Sequence, residues 1–123
     1  MNTSILIVED SEHIRASLVS LIECIPGVGQ ICTADTLASA MVCMRNYAPN
    51  LIVLDLQLPD GIGIELIEPI KLMAPATQIA VLTNHASEFN KRHCLAGGAD
   101  WFFDKSTEFD DLLDVVRHHV AVH

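Results

Sequence analysis

Apolar positions along this chain fall into two alternating kinds of run. Short blocks occur at Ile5-Leu6-Ile7-Val8, Val28 to Ala34, Leu51-Ile52-Val53-Leu54, Ile79-Ala80-Val81-Leu82 and Trp101-Phe102-Phe103. Blocks that are apolar throughout, without polar alternation, suit strands buried on both faces, as in a parallel sheet. The second block is more polar and is placed at a sheet edge.

Between the blocks the spacing turns helical. Ile14, Leu18, Leu21, Ile22 and Ile25 follow the i, i+4, i+7, i+8, i+11 pattern of one helix face, which Pro26-Gly27 ends. Leu37, Ala40, Met41 and Met44 repeat it up to Ala48-Pro49. Ser106-Thr107 is expected to cap a last helix whose apolar face is Phe109, Leu112, Leu113, Val116 and Val120. In the segment Ile64 to Met73, Pro69 removes an amide donor and is expected to kink or break the helix. Ser87 to Ala96 has poor apolar spacing before Gly97-Gly98 stops it, so this fourth helix is expected to be the most mobile. Five β-α repeats with right-handed crossovers predict a doubly wound α/β domain: a five-stranded parallel sheet in order 2-1-3-4-5, helices on both faces.

Composition narrows the class. The 123 residues make one domain and are 50% hydrophobic, enough for a core and too many for a disordered chain. No apolar run approaches the roughly 18 residues of a membrane span, and the N-terminus lacks the basic and small-residue features of an export signal. A cytoplasmic protein is expected. Seven Lys plus Arg against sixteen Asp plus Glu give a net charge of −9, a poor basis for binding nucleic acid through its phosphates. Cys24, Cys32, Cys43 and Cys94 show no C-x-x-C spacing and are read as reduced core thiols.

In doubly wound sheets the site lies beyond the carboxyl ends of the strands. Here the first strand runs into Glu9-Asp10, the third into Asp55, the fourth into Thr83 and the fifth into Asp104-Lys105. Alone, each has an ordinary reading: a solvated acidic loop, a turn cap, a strand-end threonine, a surface lysine. Their coincidence in one layer is what points to chemistry. Two like charges about 4 Å apart repel by about 4 kcal/mol at an effective dielectric near 20, so clustered carboxylates favour a hard divalent cation such as magnesium. Magnesium so held usually serves phosphate chemistry, with Thr83 and Lys105 as donors to phosphoryl oxygens and an Asp as nucleophile.

The stretches Ile-Leu-Ile-Val-Glu-Asp-Ser, Leu-Ile-Val-Leu-Asp-Leu-Gln-Leu-Pro-Asp-Gly, Val-Leu-Thr-Asn and Ala-Asp-Trp-Phe-Phe-Asp-Lys-Ser together resemble the response-regulator receiver domain of two-component signalling. The match runs in order along essentially the whole chain, read as one receiver over residues 1–123. The resemblance implies a flavodoxin-like (βα)5 fold in which Asp55 accepts a phosphoryl group from a partner's phosphohistidine. It implies Asp10 and Asp55 as direct ligands of Mg2+ or Mn2+, the Gln57 main-chain carbonyl as a third, and Glu9 acting through water. Lys105 is implied to pair with the acceptor carboxylate and then the phosphoryl oxygen. Thr83 is implied to be the switch hydroxyl, and Phe102 to stand where the family places a rotating aromatic, often tyrosine.

The implied output is a repacked face of helix 4, strand 5 and helix 5, and the implied partners are a sensor histidine kinase or histidine phosphotransfer protein and a downstream target. Homodimerisation through that face is common in the family. Such a domain is a switch, catalysing only its own phosphorylation and dephosphorylation; this chain is expected to touch neither nucleic acid nor membrane. His85 and Gln57 are expected to tune loss of the phosphoryl group. Ser106 departs from the family pattern, which has a cis-proline there; serine costs about 2.5–4 kcal/mol in cis, so a trans bond with a re-routed loop or a strained cis bond is expected.

Two other readings compete: the receiver part of a larger DNA-binding regulator, and a phosphate-independent pseudo-receiver. An aspartyl phosphohydrolase would need a second Asp where Gln57 stands. A dinucleotide-binding protein would need a glycine-rich loop where Asp10-Ser11-Glu12 stands. Trp101 is read as edge packing, Ile14 and Leu18 as shared between core and a partner-docking surface, and His118, His119 and His123 as a remote metal option.

Overall fold

The computed structural model describes residues 3–122. Its main sheet is parallel and runs β2-β1-β3-β6-β7, formed by β1 (Thr3–Val8), β2 (Val28–Ala34), β3 (Leu51–Leu54), β6 (Gln78–Thr83) and β7 (Trp101–Asp104). This is the predicted 2-1-3-4-5 order, with the polar strand β2 at one edge. A two-residue hairpin, β4 (Gln57–Leu58) and β5 (Gly61–Ile62), lies outside it and was not expected from the sequence. Helices α1 (Glu12–Glu23), α2 (Leu37–Asn46), α3 (Ile64–Met73), α4 (Glu88–Gly97) and α5 (Phe109–Val122) complete the layers.

The continuous apolar strands feed two cores at once, because successive side chains point to opposite faces of a sheet. Ile5, Ile7, Leu51, Val53, Ala80 and Leu82 pack with Leu18 and Ile22 of α1 and Leu112 and Val116 of α5. Leu6, Val8, Ile52, Leu54, Ile79 and Val81 pack with α2, α3 and α4 through Ala40, Met44, Leu66, Ile67, Ile70 and Cys94. Phe102 joins this second core, while Trp101 and Phe103 lean on the first. Trp101 is thus edge packing, as read from the sequence.

Side-chain oxygens start three of the helices. Ser11 accepts from the Ile14 amide at 3.3 Å, Thr36 and Ser39 form a reciprocal capping box, and Ser87 accepts from the Asn90 amide at 3.0 Å. Gly98, at φ +119°, closes α4 in the left-handed region that glycine enters without steric cost.

Four local expectations need correction. Pro69 sits inside an unbroken α3: it and Glu65, whose carbonyl loses its amide partner, both face solvent, and Leu66, Ile67 and Ile70 anchor the other side. Ser106-Thr107 does not cap α5; the Glu108 carbonyl takes the first helical bonds, from Asp111 and Leu112, and Ser106 turns back on Asp104. Leu21 is exposed although its spacing placed it on the buried stripe of α1. Cys24 is exposed as well, so the core-thiol reading fails for it; all four cysteines are free.

Candidate functional site

Parallel register brings the strand ends together. Val8 pairs with Leu54, Leu54 with Val81, and Thr83 with Asp104. The ladder then continues one residue further: the Glu9 amide donates to the Ala34 carbonyl at 2.9 Å, Asp55 to Val8 at 3.0 Å and Lys105 to Thr83 at 2.9 Å. The residues that follow the strands are therefore fixed by main-chain bonds before any side chain is considered. A cleft of about 220 Å³ opens over them, lined by Glu9, Asp10, Asp55, Gln57, His85 and Lys105, among others.

Lys105 is the electrostatic centre of the cleft. Its Nζ lies 2.6 Å from Glu9 Oε1 and 3.0 Å from Asp55 Oδ2, and all three side chains are largely buried. Burial alone would favour the neutral amine, but the hydrogen bond that Lys105 donates to Glu9 and the charge of Asp55 outweigh it and hold Lys105 above its ordinary pKa. Glu9, only 2% exposed, is pushed upward by burial; the bonds from Lys105 and the Ser11 amide oppose that shift without cancelling it. The Ser11 amide reaches the other Glu9 oxygen at 3.1 Å, and Arg15 Nη1 donates to the Glu9 carbonyl at 2.9 Å. The β1–α1 turn is held from both ends.

Carboxylate oxygens of Glu9, Asp10 and Asp55 lie within 4.8 Å of one another. Hard oxygen donors at that spacing, two on buried residues and one on the exposed Asp10, fit a divalent cation of the magnesium or manganese type. Lys105 already compensates Glu9 and Asp55, so the cleft is neutralised only in part.

Thr83 is fully buried, and its Oγ1 accepts from the His85 amide at 3.0 Å. The hydroxyl therefore holds the loop above β6 while the His85 side chain stands exposed at the cleft rim. Phe102 is buried on the α4 side of β7. No peptide bond among the described residues is cis, so Lys105-Ser106 is trans. The loop is re-routed into a turn in which the Ser106 amide and hydroxyl donate to Asp104 Oδ1 at 2.9 and 2.6 Å. Glu108 Oε1 accepts from the Asp104 amide at 2.9 Å. With this local network in place, Lys105 reaches both carboxylates.

Two contributors to the site were missed in the sequence. Asp60, in the β4–β5 turn, accepts from the amides of Leu37 and Ala38 at 2.8 and 3.1 Å, tying the segment after Asp55 to the start of α2. Those bonds pull its pKa below the ordinary carboxylate value. Gly63 lies against the main chain of Asp55. The Pro59-Asp60-Gly61 turn signal marks this loop, but its contact with α2 is long-range. The histidine metal option gains nothing: His118 is exposed, the buried His119 Nδ1 pairs with Gln78 Oε1 at 2.7 Å, and His123 lies outside the described residues.

The model of the family described as "Response regulator receiver domain" matches residues 5–117. The KDP operon transcriptional regulatory protein KdpE of Escherichia coli is 38% identical over 116 residues, covering 94% of this chain and 50% of that protein. A CheY-like response regulator receiver domain protein from Methanospirillum hungatei superposes with a TM-score of 0.88 at 29% identity, covering 99% of this chain and 96% of the other. A LuxR-family two-component response regulator from Aurantimonas sp. gives 0.89 at 26%, covering 100% of this chain and 88% of that one. The chain thus spans about half the length of the curated relatives it matches. With that model matching residues 5–117, nearly the whole length, the chain belongs to the response regulator receiver family.

Proposed function

We propose that this chain is a phosphorylatable receiver in which Asp55 takes a phosphoryl group from a partner phosphohistidine. The observation that carries this reading is the Lys105 ammonium seated between two buried carboxylates at 2.6 and 3.0 Å, one of them Asp55. Asp55 Oδ attacks phosphorus, the P–N bond to the donor imidazole breaks with its electron pair leaving on nitrogen, and an acyl phosphate forms. Lys105 then moves its charge from the carboxylate to a phosphoryl oxygen, and the Gln57 amide, 3.4 Å from Asp55 Oδ1, helps fix the attacking carboxylate. A magnesium or manganese ion held by Asp10, Asp55 and the Gln57 carbonyl, with Glu9 through water, would offset the remaining phosphoryl charge.

Thr83 supplies the switch. To donate to a phosphoryl oxygen its hydroxyl must turn into the cleft and give up the His85 amide, loosening the loop that leads to α4. Phe102 sits on the α4 side of the sheet, where it follows that change, and the face of α4, β7 and α5 is the output surface. His85 and Gln57 stand at the rim where water reaches the acyl phosphate and set its lifetime. The partners are a sensor histidine kinase or histidine phosphotransfer protein on the input side and a protein target or attached effector on the output side. Homodimerisation through the output face is one form that output takes. The setting is cytoplasmic. As a switch the chain turns over nothing but its own phosphoryl group.

Intact mass after incubation with magnesium and acetyl phosphate tests this directly, comparing wild type with Asp55→Asn. A base- and hydroxylamine-labile gain of about 80 Da, absent from the variant, is expected for one phosphoryl group on a carboxylate. No adduct on a folded wild-type protein would replace this reading with a phosphate-independent interaction module.

A further inference from the structure

Away from the cleft, two thiols face each other across the β2–α2 contact. Cys32 Sγ, on edge strand β2, lies 3.4 Å from Cys43 Sγ, in the last turns of α2, and both residues are half-buried. That separation is hydrogen-bonding distance for sulfur. It exceeds a disulfide bond by only about 1.4 Å, within reach of side-chain rotation. The Tyr47 hydroxyl is buried at the C-terminal cap of α2, and its pKa is pushed up by burial and by the Cys32 and Cys43 thiols. Cys43 itself is pushed up to about 11 by burial and by Cys32, so it is a thiol at neutral pH.

We infer that Cys32 and Cys43 form a reversible intramolecular disulfide when the protein meets a peroxide. One sulfur, after losing its proton to solvent, attacks a peroxide oxygen; the O–O bond breaks and the departing hydroxide takes up a proton as water. The second sulfur then displaces hydroxide from the resulting sulfenic acid, and its own proton completes the second water. Two thiols and one hydrogen peroxide thus become one disulfide and two waters, with two electrons passing from sulfur to oxygen. Where Cys43 is the attacking sulfur, its raised value keeps it protonated at neutral pH and favours attack in alkali. The product staples α2 to the sheet edge at the far end of the helix from its Asp60 contact. Exposed Cys24, at the end of α1, and buried Cys94, in α4, have no such neighbour within the described bonding contacts.

The test uses a Cys24→Ser background, which removes the exposed competitor. Protein is treated with hydrogen peroxide, denatured, alkylated without reductant and weighed intact, then digested for linkage mapping. Expected are a loss of about 2 Da before alkylation, two fewer alkylated thiols, and a linked peptide pair joining Cys32 to Cys43. Dithiothreitol should restore all alkylation sites, and the oxidised form should melt several degrees higher than the reduced one. Cys43→Ser and Cys32→Ala should each abolish the linked pair. Peroxide treatment that yields only sulfinic acids, links between chains, or no change in a folded protein overturns the inference.

Discussion

The α-carbon of Gly63 rests against the main-chain carbonyl of Asp55 so closely that a β-carbon there would overlap the oxygen. The Gly63 amide meanwhile donates to the Leu56 carbonyl at 2.7 Å, so neither segment is free to retreat. The residue entering α3 therefore sets the height of the Asp55 carboxylate in the cleft. Gly63→Ala should lower stability by about 1–3 kcal/mol, the usual range for overpacking. It should slow adduct formation on Asp55 by more than its stability loss accounts for. Denaturant unfolding read beside phosphorylation rates checks this; an unchanged rate would place the contact outside the acceptor's geometry.

Lys105 stands between Glu9 and Asp55, and its removal leaves two neighbouring buried carboxylates without a cation. Lys105→Met should destabilise the metal-free protein by about 3 kcal/mol, near the lower end of the range for breaking a buried pair because the cleft admits water. Magnesium should raise the melting temperature of the variant by more than it raises that of wild type, since the ion no longer competes with an ammonium. Thermal melts with and without magnesium, at constant ionic strength, measure both effects.

Asp60 gives the fold an acid-sensitive joint. Its folded pKa is depressed by the amides of Leu37 and Ala38, so its contribution is fully present above the ordinary aspartate value and is lost as pH falls through the lower, folded one. Asp60→Asn keeps an acceptor but removes the charge. The variant should melt below wild type at pH 6 to 7, and the gap should close as pH drops below the ordinary carboxylate range. A gap that stays constant across the titration would mean that shape, not charge, holds the hairpin on α2.

Phe102 is packed among apolar side chains on the α4 side of β7. Phe102→Tyr buries a hydroxyl or forces the ring outward. We expect a loss of about 1–3 kcal/mol if the ring stays in, the cost of an unpartnered buried hydroxyl. A smaller loss accompanied by solvent-accessible tyrosine fluorescence would show the ring has left the core. Phe102→Ala, by contrast, should cost about 3–5 kcal/mol through the cavity it leaves.

The architecture was legible because the strands carry it. Val28–Ala34 and Leu51–Leu54 begin and end where the apolar pattern does, and β1, β6 and β7 differ from their blocks only at the ends. Strand-end chemistry was legible for the same reason, since Glu9, Asp55, Thr83 and Lys105 are placed by main-chain register. What escaped was set by contacts distant in sequence or by solvent. Neither the Asp60 bonds to α2 nor the Gly63 contact has a local signature. Pro69 was tolerated because the Glu65 carbonyl that it leaves without an amide partner lies on the solvent side of α3. The turn at Ser106 depends on Asp104 and Glu108 together, a cooperation that no single spacing announces.

Helix α4 buries one side chain, Cys94, while Phe89 stands 64% exposed and Leu95 41%. Ser87 caps it at one end and Gly98 at the other. A helix with so little apolar anchorage unfolds locally at small free-energy cost, so its amide protons should exchange with deuterium long before those of β1 or β3. Under the proposed switch, the element that answers the cleft is thus also one whose opening is cheap. A partner that gripped it would register first as slowed deuterium uptake there, with the central strands unchanged.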